Sequence, residues 1–420
     1  MNNQDSNQMS LSEELQWRGF INQTTFKNLD QLDEQQWTFY HGFDASAPSQ
    51  QIGNLAAMMF DKVFMRHGHK AIILAGGATS LIGDPGGKDK ERELQAVETI
   101  ADNVRRAEAQ FSKIYRGSEY TLVNNLDWTK NLNVIDYLRD IGKHYSMTPL
   151  VQRDFIAKRM NEGGDGITYA EFSYTVLQGM DFLHLFDKYG CTLQLGGSDQ
   201  WGNCLSGVDL IRKTRGKEAH VITLPLIINS QTGKKFGKSE DGAVWLDPEL
   251  TSPFKFYQFW LNVDDQGVET YLKVYTELSK SEIDDVLDKF KQDRAARLAQ
   301  KTLAKQVTNL VHGEDITKQI IKVTELLFSE DYTKLDTADF ELLRKELPAI
   351  QNADQPLIDL LVASNLASSK TEARRFINDG AVYINGDKLT EDTDKLSDNQ
   401  FISGHAIVRR GKNNLAIISK

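Results

Sequence analysis

Short apolar runs alternate with helix-like patterns along the first half of the chain, from about residue 36 to residue 228. Runs that suit buried strands occur at 37–43, 71–75, 120–123, 191–195 and 221–224. Between the first two runs, apolar residues recur at helical spacing, as Ile52, Leu55, Met59 and Val63 show. Because consecutive parallel strands are joined by helical crossovers, the pattern predicts an α/β fold with a Rossmann-like parallel sheet.

The pattern changes after about residue 250, where strand-like runs give way to helical ones. Acidic residues and Pro348 interrupt the segment 329–355, which predicts a linker. Two helical patterns then lead into an alternating run at 381–386 that closes on Asn-Gly, a strong signal for a tight turn. We therefore expect five successive parts: a sheet domain at 1–228, a glycine-containing connection at 229–251, an α-helical domain at 252–328, the linker at 329–355 and a small α+β domain at 356–420.

Composition limits the class of partner, the metal sites and the cellular compartment that are expected for the protein. The 420 residues carry a net charge of -10, which argues against a generic DNA-binding protein but leaves room for local basic patches. The two cysteines, Cys191 and Cys204, form no Cys-x-x-Cys pair, so a zinc ribbon is excluded and a reducing compartment is expected. Since neither a run of about 18 apolar residues nor an apolar leader occurs, we expect a cytoplasmic protein without a membrane-spanning helix.

Residues 196–203, Gly-Gly-Ser-Asp-Gln-Trp-Gly-Asn, form the most informative stretch of the chain. They follow a predicted strand and precede a predicted helix, which is where parallel sheets bind ligands. Gly196 and Gly197 let a flat ligand lie against bare backbone. Asp199 offers a carboxylate to paired sugar hydroxyls, and the helix start offers N–H groups to an anion. A Gly-Gly pair alone is usually a plain turn, but the full octet predicts a nucleotide-binding loop.

A lysine pair in the connection suits a polyphosphate. Lys235 and Lys238 stand three residues apart, with Gly233 and Gly237 beside them and Ser239 after them. Two ammonium groups on a mobile loop can stabilise charge that grows on phosphate oxygens. Taken alone the motif is weak, and a solvated basic loop is the alternative.

Polar residues also stand at the start of the first predicted helix after a strand. In Gln51-Ile-Gly-Asn54, Gly53 would let a nucleotide approach closely. Gln51 and Asn54 could donate hydrogen bonds to phosphate or adenine. A capped helix with an incidental glycine is the alternative.

Three further polar residues share one face of a predicted helix. Tyr174, Gln178 and Asp181 follow the spacing i, i+4, i+7 inside an apolar sequence. Such a stripe either faces solvent or lines a polar pocket. Asp84 could add a carboxylate from a neighbouring loop, although its Asp-Pro-Gly context is also a good turn.

These elements, in this order, resemble the class I aminoacyl-tRNA synthetases, and among them the bacterial-type tyrosyl-tRNA synthetases. The resemblance covers nearly the whole chain, from about residue 11 to residue 420. It rests on the stretches 42–44, 76–79, 82–85, 171–174, 196–203, 235–239 and 243–247. It implies that ATP activates L-tyrosine as tyrosyl-adenylate, with release of pyrophosphate, before the tyrosine passes to the terminal adenosine of tRNA(Tyr).

The resemblance also implies roles for individual residues. Tyr40 and Asp181 would hold the phenol of tyrosine. The α-amino group would meet Asp84, Tyr174 and Gln178, while Gln200 would lie near the reacting carboxylate and Gln194 near the substrate. ATP and its phosphates would meet His41, Gly42, Asp44, Ser46, Gln51, Gly53, Asn54, Gly197, Asp199, Lys235, Lys238 and Ser239. ATP chemistry implies Mg²⁺, while the sequence shows no dedicated metal-binding motif.

One position departs from the family pattern. The family signature at 51–54 is His-x-Gly-His, or a form that ends in Asn, whereas this chain has Gln51 and Asn54. The Gln51 amide can donate to a phosphate oxygen but carries no positive charge, and Ala57 offers no hydroxyl near the ribose. The alternative function is therefore a degenerate, synthetase-derived RNA-binding or regulatory protein with weak or no adenylation, although the intact lysine pair argues against it.

The last segment resembles the alpha-L RNA-binding module that ribosomal proteins share. Its predicted helix and a basic stretch near residue 410 suggest contacts with tRNA phosphates. The candidate tRNA-binding residues are Lys370, Arg374, Arg375, Arg409, Arg410 and Lys412. A solvated surface is the alternative. The resemblance further implies that 252–328 lies on the anticodon side, and that the protein is a homodimer formed through a segment inserted in 1–228.

Overall fold

The computed structural model describes residues 9–84, 94–151, 156–157, 160, 166–229, 233, 236–239, 242–351, 354–389, 394–412 and 414–420. The chain divides into two compact units: Met1–Ser252 with Phe259–Val311, and Pro253–Gln258 with His312–Lys420. Within the described ranges, no helix is both long enough and apolar enough to cross a bilayer.

A six-stranded sheet forms the centre of the first unit. Its strands are β1 (Gln23–Thr24), β2 (Thr38–Phe43), β3 (Lys70–Ala75), β4 (Tyr120–Asn124), β5 (Leu193–Gly197) and β6 (His220–Leu224). Their order across the sheet is β1-β6-β5-β2-β3-β4, with β1 antiparallel at one edge and every other pair parallel. The predicted α/β fold with a parallel sheet is confirmed. A separate antiparallel pair joins β7 (Lys238–Ser239) and β8 (Gly242–Ala243).

Helices lie on both faces of this sheet. Up to residue 312 the described helices are Leu11–Arg18, Ile52–Arg66, Thr79–Ile82, Val97–Ile114, Leu126–Thr129, Val134–Asp136, Met147–Val151, Tyr169–Tyr189, Trp201–Arg215, Pro253–Leu261, Val268–Tyr275, Lys280–Gln292 and Leu298–His312. Shorter turns of 3-10 or π type occupy Leu29–Glu34, Tyr137–Ile141, Gly142–His144 and Ser198–Gln200. Successive residues of β2 point to opposite faces, so Phe39 packs on Phe64 while Tyr40 packs on Phe182. Residue 40 therefore faces the helix Tyr169–Tyr189, and residue 39 faces the helix Ile52–Arg66.

The second unit is built on a five-stranded sheet. Its strands are β9 (Ala349–Gln351), β10 (Val382–Ile384), β11 (Asp387–Lys388), β12 (His405–Arg410) and β13 (Asn414–Ser419), in the order β11-β10-β12-β13-β9. Its described helical segments are Glu314–Ser329, Tyr332–Lys334, Thr337–Glu346, Leu357–Ala363, Lys370–Asn378 and Asp398–Gln400. The predicted Asn-Gly turn joins β10 to β11, with φ of 49° at Asn385 and 90° at Gly386.

The segment 329–355 is folded and is not the linker that its composition predicts. Tyr332, Phe340 and Leu343 are buried against Ile407 and Ile417 of the sheet. The strand β9 in the same segment pairs in parallel with β13. The apolar residues of this segment stand among acidic ones, so composition hides the fact that they cover one face of a sheet. The helix Glu314–Ser329, expected in the preceding helical domain, belongs to this second unit as well.

Candidate active site

The candidate residues gather where the parallel strands β2, β3 and β5 end. Carboxyl ends of parallel strands meet at one edge of a sheet, and ligands bind there. After β5, the chain makes the 3-10 turn Ser198–Gln200 and enters the helix Trp201–Arg215, which is the strand–turn–helix context predicted for the octet. A Cβ on Gly197 would stand 2.5 Å from Oδ1 of Asp199. Only glycine therefore fits at residue 197 without displacing that exposed carboxylate.

Two buried polar atoms beside this edge lack a hydrogen-bond partner among the described residues. They are the hydroxyl oxygen of Tyr40 and Oε1 of Gln194. Tyr40 on β2 and Gln194 on β5 are register partners, so their side chains leave the same face of the sheet. Because buried polar groups are normally satisfied, this pair indicates a place where a polar ligand binds.

Asp181 provides a carboxylate on the helix that covers this face. The residue is 2% exposed, and its Oδ2 accepts from Nδ2 of Asn125 at 2.9 Å while its Oδ1 accepts from Nε1 of Trp128 at 2.8 Å. Burial raises the pKa of Asp181 to about 7, although both hydrogen bonds act to lower it. Burial, together with the nearby Cys204 and Asp181, raises the pKa of the Tyr40 hydroxyl, which therefore keeps its proton. A hydroxyl and a carboxylate inside an apolar cluster suit a hydroxyl carried on an aromatic ring.

The two donors that hold Asp181, Asn125 and Trp128, were not among the residues predicted from the sequence. Asn125 is fully buried, and its Oδ1 accepts the backbone N–H of Ala78 at 2.7 Å. This contact turns the amide so that Nδ2 faces Asp181 and the hydroxyl of Thr79. Asn125 and Trp128 follow β4 directly, so a search for polar residues after every predicted strand would have found them.

A chain of hydrogen bonds joins the octet to the helix Tyr169–Tyr189. Nε2 of Gln200 donates to Oδ2 of Asp84 at 2.6 Å, and Oε1 of Gln200 accepts from Nδ2 of Asn203 at 3.2 Å. The hydroxyl of Thr175 donates to Oδ1 of Asn203 at 2.7 Å. The structure thus brings Asp84 and Gln200 together, as the predicted substrate site requires.

Tyr174 and Gln178 lie on the same helix as Asp181. Nε2 of Gln178 lies 3.9 Å from Sγ of Cys204. Burial, followed by the carboxylates of Asp84, Asp44 and Asp181, raises the pKa of the Tyr174 hydroxyl. The field around this hydroxyl is therefore negative, which favours a bound ammonium group.

The turn after β2 is ordered by one carboxylate. Oδ1 of Asp44 accepts the backbone N–H of Ser46 at 2.9 Å and the hydroxyl of Ser80 at 2.8 Å. Oδ2 of Asp44 accepts the hydroxyl of Ser46 at 2.9 Å. Asp44 and Ser46 therefore form a fixed polar rim beside Gly42 at the end of the strand.

The helix Ile52–Arg66 begins at this rim. Oδ1 of Asn54 accepts the backbone N–H of Gln51 at 3.1 Å, which caps the helix start. A Cβ on Gly237 would stand 3.4 Å from the backbone nitrogen of Gly53, so the segment with the lysine pair passes beside the first helical turn.

The structure describes the lysine segment only in part. Lys235 lies outside the described residues, and for Lys238 and Ser239 the backbone strand alone is described. Phe236 is buried and stacks on Tyr271 with ring centroids 4.2 Å apart. This aromatic contact holds Phe236, the residue before Gly237, in place.

The candidate RNA-binding residues of the second unit differ in their surroundings. Arg409 lies over the ring of Tyr383 at 4.1 Å and pairs with Glu330 at 2.9 Å, with 12% of its side chain exposed. Arg409 is thus engaged within the protein, whereas Arg374 and Lys412 are exposed.

Three more of these cations also have partners inside the unit. Lys370 pairs with Asp359 at 2.6 Å. Arg375 and Arg410 both lie over the ring of Phe376, at 5.3 Å and 4.9 Å from its centroid. A cation of the helix Lys370–Asn378 and a cation of β12 therefore lie next to the same ring, and together they form one basic surface.

Comparison with known families identifies the class of protein. The family model described as "tRNA synthetases class I (W and Y)" matches residues 32–329, and the model "Tyrosine--tRNA ligase SYY-like C-terminal domain" matches residues 339–418. The chain therefore belongs to the class I tRNA synthetases of this family.

Individual relatives narrow the class further. The chain is 44% identical to "Tyrosine--tRNA ligase 2" of Bacillus cereus and 43% identical to "Tyrosine--tRNA ligase" of Geobacillus stearothermophilus, in both cases over 98% of this chain and 99% of the relative. Within its class, the chain is a member of the tyrosine–tRNA ligases. This similarity over the whole length gives no support to the alternative of a degenerate RNA-binding protein.

Solved structures are similar in fold. A C-terminally truncated mitochondrial tyrosyl-tRNA synthetase of Aspergillus nidulans is 31% identical with a TM-score of 0.68, covering 76% of this chain and 94% of that one. A tyrosyl-tRNA synthetase of Archaeoglobus fulgidus complexed with L-tyrosine is 15% identical with a TM-score of 0.54, covering 73% and 99% of the two chains. The second likeness concerns the fold alone.

Proposed function

We propose that this chain activates L-tyrosine with ATP and transfers it to tRNA(Tyr), using the residues assembled at the carboxyl edge of the β2–β5 sheet. The observation that carries the proposal is the pair of buried, unpartnered polar atoms on Tyr40 and Gln194 beside Asp181. The phenol of tyrosine would donate to Asp181 and accept from the Tyr40 hydroxyl. Phenylalanine would leave both groups unpaired in a buried site, which is costly.

The other end of the substrate would lie among charges of suitable sign. Asp84, Tyr174 and Gln178 would hold the α-amino group, because the field around Tyr174 is negative. Gln200, fixed by its bond to Asp84, would lie near the reacting carboxylate. The carboxylate attacks the α-phosphate, a step that depends on positioning more than on covalent help from the protein.

The nucleotide would lie across the glycines at the ends of β2 and β5. Gly197 and Asp199 would hold the adenosine, and His41 would lie near its ribose. Gly42, Asp44, Ser46, Gln51, Gly53 and Asn54 would contact the phosphates. The side chains of Lys235, Lys238 and Ser239 would stabilise charge on the leaving pyrophosphate.

Mg²⁺ would enter with ATP and stay on its phosphates. In the described part of the chain, no three His, Cys, Asp or Glu side chains group as they would around a metal ion. Mg²⁺ commonly keeps several waters and binds through substrate phosphates. The ion would neutralise phosphate charge, while the protein positions the reacting groups.

The two units would divide the work between adenylate formation and tRNA binding. Exposed Arg374 and Lys412, with Arg410 on Phe376, would contact tRNA phosphates, aided by Lys370 and Arg375. Arg409, which we also predicted to bind tRNA, would serve mainly to hold Glu330 and Tyr383 in place.

A homodimer would cover an apolar surface on the first unit. Val134, Ile135, Met147 and Tyr169 are between 57% and 69% exposed. Val134 and Tyr169 line one hollow of the surface, and exposed apolar surface of this kind is typical of protein–protein interfaces. We also propose a cytoplasmic location, because Cys191 and Cys204 are buried and free of a disulfide, which suits a reducing compartment.

Charging of purified tRNA(Tyr) with radiolabelled tyrosine tests the whole proposal. We expect the unaltered protein to charge tRNA(Tyr) only when ATP and tyrosine are both present. The Tyr40→Phe variant should show a raised KM for tyrosine and an unchanged KM for ATP. Sedimentation should show a dimer that Ile135→Glu dissociates. Absence of charging by well-folded protein would refute the proposal.

A further inference from the structure

His41 contacts a buried carboxylate, that of Asp61, which in turn accepts a hydrogen bond from a buried tyrosine hydroxyl. Nδ1 of His41 lies 2.9 Å from Oδ1 of Asp61, and the hydroxyl of Tyr115 donates to Oδ2 of Asp61 at 2.7 Å. Asp61 belongs to the helix Ile52–Arg66, about two turns after Gly53, and Tyr115 ends the helix Val97–Ile114. The three side chains therefore link a strand and two helices through polar contacts alone.

Only the histidine end of this arrangement reaches the surface. The side chain of Asp61 is 2% exposed and that of His41 is 15% exposed, while Tyr115 is 1% exposed. Across the described ranges, the contact with Asp61 is the one hydrogen bond of the His41 ring. Nε2 is thus the remaining polar atom of a ring whose residue sits on β2 between Tyr40 and Gly42.

We propose that Asp61 and Tyr115 are positioning residues, which fix His41 with its Nδ1 proton on Asp61 and its Nε2 presented to the ribose of ATP. The inference rests on the proposed function, which places ATP at this edge. An ionised Asp61 can only accept, so Nδ1 keeps its proton in both charge states of the ring. Nε2 then accepts from a ribose hydroxyl when the ring is neutral and donates to its oxygen when the ring is charged.

The same contacts shift the pKa of the His41 ring. Burial opposes the charged imidazolium, and the carboxylate of Asp61 outweighs it, so the pKa of His41 is raised. Asp61 is the one charged group that acts on this pKa among the described residues. The hydroxyl of Tyr115 stabilises the ionised carboxylate by donating to it.

Two variants test whether the charge of Asp61 and the hydrogen bond from Tyr115 matter for ATP binding. Asp61→Asn keeps the shape and removes the charge, and Tyr115→Phe removes the donor. In pyrophosphate exchange, each should raise the KM for ATP by about three- to tenfold, the worth of one ordinary hydrogen bond, with the KM for tyrosine unchanged. Asp61→Asn should also lower the pKa of His41, followed by NMR, by about one unit or more.

A double variant shows whether Asp61 acts through His41. His41→Ala should raise the KM for ATP to a similar degree, and Asp61→Asn should add nothing in that background. The control Asp33→Asn, which removes a carboxylate bonded to Ser12 on the N-terminal helix, should leave both KM values unchanged. If the unaltered chain shows no exchange, the proposed function itself fails.

Two results would overturn the positioning role. One is an unchanged KM for ATP in both Asp61→Asn and Tyr115→Phe. The other is a rise that Asp61→Asn produces equally with and without His41, which would reveal a structural effect on the helix. If Asp61→Asn does not fold, Tyr115→Phe alone and with His41→Ala carries the same test.

Discussion

Replacing Asp181 by asparagine removes charge from the phenol end of the site and keeps the side-chain shape. Asp181 uses one oxygen for Asn125 and the other for Trp128, and the phenol of tyrosine would add a third bond. Asparagine has one acceptor oxygen, and its amide nitrogen must face one of these donors. At least one of the three hydrogen bonds is therefore lost, and no remaining bond to residue 181 is assisted by charge.

The size of the effect follows from the bond that is lost. A hydrogen bond to a charged group contributes about 1.5 to 3 kcal/mol, and about 1.4 kcal/mol corresponds to a factor of ten. We expect the KM for tyrosine, measured by pyrophosphate exchange at saturating ATP, to rise about 10- to 150-fold in Asp181→Asn. The preference for tyrosine over phenylalanine should fall, since the variant no longer leaves a buried carboxylate unpaired with phenylalanine.

A matched control lies on the same helix. Asp187 is exposed on Tyr169–Tyr189 and pairs with Arg215, so Asp187→Asn makes the same chemical change away from the site. It should leave both KM values unchanged. A KM for tyrosine within twofold of the unaltered value in Asp181→Asn, or an equal rise in the KM for ATP, would refute the assignment of Asp181 to the phenol.

Four other predictions follow from the site and the packing. Because burial raises the pKa of Asp181 to about 7, the carboxyl is protonated below that pH, so kcat/KM for tyrosine should rise between pH 6 and 8, and Asp181→Asn should lose this inflection. Gln51→His should speed exchange at saturating tyrosine by about three- to tenfold by adding charge near the phosphates; an unchanged rate would show that the amide suffices. Burial acts to raise the pKa of Glu14, but a hydrogen bond from a histidine and the charges of two arginines outweigh it and lower the pKa to about 2. The ionised Glu14 therefore stabilises the fold fully above its unfolded pKa of 4.5, and this stabilisation is lost as the pH falls through 2. Glu14→Gln should therefore lower the free energy of unfolding in urea by about 2 kcal/mol at pH 7, with a shrinking difference in acid. Arg374→Ala combined with Lys412→Ala should weaken tRNA charging, with pyrophosphate exchange unchanged. The slope of log binding constant for tRNA against log salt concentration should fall in size by about one for each phosphate contact that is lost.

Local periodicity predicted the parts of the fold that depend on neighbours in the chain. The observed strands of the parallel sheet begin and end within two residues of the predicted ones. The agreement is close because short apolar runs between turn residues have few other ways to be buried. Spacing also placed Tyr174, Gln178 and Asp181 on one helix face. Whether that face met solvent or a pocket was left open by the residues themselves, and the structure shows that Asp181 on this face is buried.

Contacts between distant segments were beyond a single sequence. Asn125 meets Asp181, and Asp61 meets His41, through the packing of separate helices and strands and not through spacing within one element. The fold of 329–355 was missed for the same reason, since Phe340 is buried only because Ile407 and Ile417 arrive from the far end of the chain. The acidic residues of such a segment describe its exposed face, and they conceal the buried one.

Tyrosine-dependent exchange of pyrophosphate into ATP by the full chain tests the central claim most directly. We expect rapid exchange with L-tyrosine and very little with L-phenylalanine at the same concentration, because only tyrosine satisfies Asp181 and Tyr40 together. Equal exchange with the two amino acids, or none with tyrosine from well-folded protein, would contradict it.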